Sequence, residues 1–143
     1  NHAVTTQSYT LYTSDSFDAN DIAQPDVQSK LCLSCHDGTV AVDNFGTTGT
    51  SNVFVTGNAL LDIDLSNDHP ISFTYNSALA TLDGELEDPS TATTALGGTI
   101  DADMLFGGRL ECASCHDVHD NTINPFLRVS NSGSAMCLTC HIK

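Results

Sequence analysis

The stretch from Glu111 to Asp120 reads ECASCHDVHD and sets two cysteines and two histidines close together. Cys112 and Cys115 have two residues between them, His116 follows at once, and His119 comes three positions later. The same pattern recurs as CLSCH over residues 32–36 and as CLTCH over residues 137–141. All six cysteines are therefore used in three C-x-x-C-H units, and none remains for disulfides of the scattered kind.

C-x-x-C-H is the attachment sequence of c-type haem. Two thiols at this spacing lie on one side of a helical turn, where each can form a thioether with one of the two vinyl groups of a porphyrin, and the adjoining histidine then meets the iron. A lone C-x-x-C also serves as a zinc half-site or a dithiol redox pair, but here a histidine follows every pair. A four-cysteine zinc site needs pairs of pairs and would strand the third. The expected cofactors are three covalently bound haem c groups, on Cys32 and Cys35, Cys112 and Cys115, and Cys137 and Cys140. His36, His116 and His141 are the expected iron ligands on the first face of each.

Three irons offer six axial positions, and the chain has six histidines. The remaining three, His2, His69 and His119, would fill the second faces. A helical reading of the stretch after Cys112 puts His119 on the same side of the turn as His116, so His119 must serve another haem; the short tether favours the one on Cys137 and Cys140, with the one on Cys32 and Cys35 left open. Pro70 biases His69 towards an extended backbone that holds its imidazole out from a loop, against the alternative of an ordinary surface histidine. His2 is either a ligand or a solvated chain end. If it is idle, one iron takes Met104, Met136 or water, although both methionines read better as core.

Working outward, residues 1–24 are polar and rich in Thr and Ser and form an N-terminal arm, with SYTLYTS as an edge strand. Residues 25–143 form the haem domain. QPDVQSKLCLSCHDG predicts a helix with Pro25 and Asp26 in its first turn and Gly38 as a left-handed cap. TVAV and NVFV predict a small β-hairpin, and SALATLDGELED a second helix. LDIDLSND and DGELEDP lack the spacing of an EF-hand loop and read as solvated acidic surface.

With aromatic residues at 6% and no Trp, side chains alone make a thin core. The expected fold is a mostly irregular chain wrapped round three haems, with short helices at the C-x-x-C-H sites. A formal charge of −14, from 18 acidic against 4 basic residues, argues against nucleic acid and anionic membrane surfaces as partners. No apolar run is long enough to span a bilayer. The start at Asn1 without Met is read as a processed N-terminus, hence an exported protein.

CLSCHDGTVAVD, SNDHPISF and LFGGRLECASCHDVHDN, followed by FLR and CLTCH, resemble the multihaem cytochromes c with doubled CXXCH motifs that abound in metal-reducing bacteria. The resemblance covers roughly residues 28–142. It implies an exported electron-transfer protein with bis-histidine haems. Some acidic relatives polymerise into extracellular filaments in which a histidine of one subunit ligates a haem of the next. His2 would play that part here, making other copies of this chain its head-to-tail partners, beside redox proteins or extracellular acceptors. Three haems are fewer than such filament cytochromes carry.

With every axial site taken by imidazole, no iron is open to a substrate, so the expected role is electron transfer and not catalysis. Two rivals stay open: a soluble periplasmic triheme shuttle, and a haem enzyme or sensor with one open iron.

Overall fold

Asp26 opens the first helix, α1 (Val27–His36), from an extended N-cap conformation, and the chain leaves it through Asp37 into Gly38, whose φ of +77° is the left-handed conformation glycine adopts without steric cost. The computed structural model describes residues 4–43 and 52–142. Pro25 and Asp26 stand one step before the helix, where the sequence placed them in its first turn; the ending at Gly38 is as read.

The chain divides into two compact units, residues 1–13 with 23–70, and residues 14–22 with 71–143. The segment read as one arm is thus shared between them.

In the first unit, Leu33 on α1 is fully buried and clusters with Tyr9 and Leu65. Thr10 bridges Asp64 in parallel, with Thr10 N–H donating to the Ile63 carbonyl and Leu65 N–H to the Thr10 carbonyl, both at 2.9 Å. Gln24 holds Tyr9 by both ends of its amide, at 2.7 and 2.9 Å to the Tyr9 backbone. The buried Ser29 and Ser34 put small side chains on α1 where neighbouring chain comes close.

The expected hairpin of TVAV and NVFV is not formed as strands among the described residues. One backbone hydrogen bond, Val42 N–H to the Val53 carbonyl at 2.9 Å, joins the two segments. The two-stranded sheet lies elsewhere: β1 (Phe73–Thr74) pairs antiparallel with β2 (Arg109–Leu110) in the second unit, a long-range pairing of strands with two helices between them.

The second unit has a side-chain core of Ala19, Phe73, Tyr75, Leu79, Ala80, Ile100, Met104, Leu105 and Leu110. Phe17 packs edge-on against Phe73 at 5.3 Å between ring centroids. Helix α2 (Ser77–Asp83) is capped by Asn76, whose side chain accepts the Leu79 N–H, and it ends at Gly84 with φ +74°, so the helix read over SALATLDGELED stops before GELED. Helix α3 (Ile100–Met104), capped by Thr99, turns Ile100 and Met104 into the core, so Met104 has a packing role, as the sequence suggested. Two single-turn helices follow, α4 (Cys112–Cys115) and α5 (Cys137–Cys140). The described chain is mostly irregular with short helices, in keeping with a small cytochrome.

Candidate haem-attachment sites

All three cysteine pairs lie on helical turns: Cys32 and Cys35 inside α1, and the other two pairs as the ends of α4 and α5. A turn of helix brings positions three apart to one side, so each pair presents two thiols together. Burial pushes the Cys35 and Cys115 thiols up and the Cys140 thiol up to about 12. They stand as neutral thiols, the form from which a thioether is made by addition to a vinyl group. Cys115 feels Cys137, and Cys140 feels Cys115, so the second and third motifs are neighbours within their unit.

The second and third motifs are built alike. His116 and His141 both leave the helix in extended conformation, at φ/ψ −114°/136° and −103°/134°, with their N–H groups on the carbonyls of Cys112 and Cys137. Each then forms an isolated bridge, His116 with Leu127 and His141 with Leu86. His36 instead remains the last residue of α1.

The histidine rings carry the most direct sign of function. His36 Nδ1 lies 2.7 Å from the Ala59 carbonyl oxygen, and His116 Nδ1 lies 3.1 Å from that of Pro125. A carbonyl can only accept, so Nδ1 is the donor; a neutral imidazole held this way has its lone pair on Nε2, the nitrogen that can then ligate a metal. His69 is set the same way, with Nδ1 2.9 Å from the Pro70 carbonyl oxygen and its side chain exposed.

His119 departs from the helical reading. Helix α4 stops at Cys115, so His116 and His119 do not share a turn; His119 sits exposed in a tight turn, its N–H held by Asp117 Oδ1 at 2.9 Å. The extended His116 and its pairing with Leu127 replace the helix there. His2 lies outside the described residues.

Buried polar groups brace two of the motifs. In the first, Ser34 Oγ, between the two cysteines, accepts the Thr5 N–H at 3.0 Å and donates to the Lys30 carbonyl at 2.7 Å. Asp37, just after His36, accepts from the Tyr9 hydroxyl and from Thr39. In the second, buried Glu111 accepts from Ser72 at 2.9 Å, lies 3.5 Å from Arg109 Nε, and gives its N–H to Ser114 Oγ at 2.8 Å. Sequence reading missed Ala59 and Pro125, because a backbone carbonyl leaves no mark on residue type.

Among the described residues no group of three or more His, Cys, Asp or Glu stands where it could hold a metal ion. Paired thiols on a helical turn, an adjoining imidazole whose Nδ1 meets a carbonyl in two of the motifs, and exposed apolar side chains beside the motifs, Leu31, Leu60, Val118, Phe126, Leu138 and Ile142, fit a covalently attached haem. Nor, among the described residues, is any helix long and apolar enough to cross a membrane.

Residues 106–143 match the family model described as the doubled CXXCH motif. The match supports a c-type multihaem cytochrome, with covalently bound haem iron and a role in electron transfer. No curated protein matches the chain.

Proposed function

We propose that this protein transfers electrons through three closely spaced c-type haems, each ligated by two histidines, and that it converts no substrate. The observation that carries the reading is the paired setting of His36 and His116, each with Nδ1 given to a carbonyl next to a helical pair of cysteines. Bound haem supplies one-electron exchange between ferric and ferrous iron.

The chain's own residues do the rest. Cys32, Cys35, Cys112, Cys115, Cys137 and Cys140 would hold the groups covalently; His36, His116 and His141 would each ligate an iron; and His69, His119 and His2 would supply the remaining ligands. Apolar side chains beside the motifs would shield the groups from water. The test is carbon monoxide added to the fully reduced protein at native pH, with haem content counted beforehand. Three haems and an unchanged low-spin spectrum are expected, whereas carbon monoxide binding would show an open iron and favour the enzyme or sensor reading.

The resemblance to filament cytochromes supports a finer reading: an exported subunit of an extracellular filament, with His2 reaching a haem of the next copy. Negative-stain microscopy of native material tests it, filaments being the expected result. One observation favours the second reading, a monomeric periplasmic shuttle. Thr5, three residues after His2, is fastened to Ser34 inside the first motif, which suits His2 as a ligand within its own chain.

A further inference from the structure

The loop of residues 117–126 leaves the second motif at His116 and returns at Leu127. Both ends are stitched to the motif: Asp117 N–H donates to the Phe126 carbonyl at 2.8 Å, and Arg128 N–H to the Cys115 carbonyl at 2.9 Å. Between them the Pro125 carbonyl meets His116 Nδ1. Phe126, the next residue, has φ +59°, a left-handed conformation that costs a residue with a Cβ about 1–2 kcal/mol. Something must hold it there.

Asn121 Oδ1 accepts the Phe126 N–H at 3.0 Å. That N–H belongs to the same peptide unit as the Pro125 carbonyl. A peptide unit is planar and rigid, so its N–H and C=O turn together. Gripping the N–H from one side fixes where the carbonyl points on the other. The first motif has the same arrangement made from backbone alone: the Ala59 carbonyl meets His36, and the Leu60 N–H of that peptide unit is held by the Gly57 carbonyl at 3.0 Å. In the second motif a side chain does this work.

We propose that Asn121 is a positioning residue for the second haem: by holding the Phe126 N–H it keeps the Pro125 carbonyl on His116 Nδ1 and so sets the strength of His116 as an iron ligand. A carbonyl drawing on the Nδ1 proton makes Nε2 the stronger donor, which favours ferric over ferrous iron and lowers the reduction potential. The inference rests on the electron-transfer reading above.

The experiment is spectroelectrochemical titration of the holoprotein, with the haem on Cys112 and Cys115 assigned by NMR. Asn121→Ala is expected to raise that haem's midpoint by the equivalent of about tenfold in its reduction equilibrium, about 59 mV for one electron, leaving the other two unmoved. An unmoved midpoint in Asn121→Ala overturns the proposal. Should Asn121→Ala fail to accumulate, Asn121→Leu keeps the volume, removes the acceptor and is judged by the same outcomes. Peptide mass spectrometry of the unaltered protein separates the two levels: absence of haem on Cys112 and Cys115 sinks the electron-transfer reading, whereas haem present with an unmoved midpoint sinks only the role of Asn121.

Discussion

The Tyr9 hydroxyl donates to Asp37 Oδ2 across 2.7 Å, joining the beginning of the chain to the residue that follows His36. Both residues are buried. Burial acts to raise the Asp37 carboxyl, but hydrogen bonds from Thr39, Thr5 and Tyr9 outweigh it and hold it below the ordinary range; Tyr9 itself is pushed up to about 12, by burial first and by Asp37 next. Tyr9→Phe removes a hydrogen bond to a buried charge and should cost about 1.5–3 kcal/mol. A lower urea midpoint at unchanged slope for the holoprotein is the expected result.

Ile100 is fully buried in the core of the second unit. Ile100→Ala leaves a cavity there and should lower stability by about 2–5 kcal/mol in the same assay. A loss below about 1 kcal/mol would mean that this cluster contributes little to the holoprotein's stability.

Helix α2 depends on its two ends. Asn76→Ala forfeits the cap on Leu79 N–H and should cost about 1 kcal/mol. Gly84→Ala meets no atom within 4 Å of the added Cβ, so its expected cost of about 1 kcal/mol comes from φ +74° alone. Thermal melts of the two single variants and the double should show near-additive losses, since one removes a side-chain cap on Leu79 N–H and the other acts only through the φ of residue 84.

Acid should weaken the second unit through Asp103. The Thr94 hydroxyl, and then the Gly98 N–H, hold its carboxyl below the ordinary value. Because the folded value is the lower one, this stabilisation is complete above the unfolded value of about 3.9 and is lost as pH falls through the folded value. Asp103→Ala should flatten the decline in urea midpoint below about pH 4 relative to the unaltered protein. A decline of equal steepness in both would assign the acid sensitivity to other carboxylates.

Haem attachment at the second motif is tested by replacing Cys112 and Cys115 together with Ser. The haem-to-protein ratio, from the pyridine haemochrome absorbance, should fall by one haem per chain. An unchanged ratio would show that these thiols carry no haem.

What residue order could decide here was chemical and local. The three C-x-x-C-H units declare their chemistry by spacing alone, and helix α1, helix α2 and the left-handed Gly38 follow from neighbouring residues, because a helical turn and its caps span only a few positions. The strand pair Phe73–Thr74 with Arg109–Leu110 was beyond reach, since both strands are two residues long and their partnership is set by core packing around Phe73 and Leu110. His119 misled a helical reading because the pairing of His116 with Leu127, made by a returning loop, ends α4 one turn after it starts. The Ala59 and Pro125 carbonyls are hidden in sequence for a simpler reason: every residue has a carbonyl, and only the folded path of the chain decides which of them faces an imidazole.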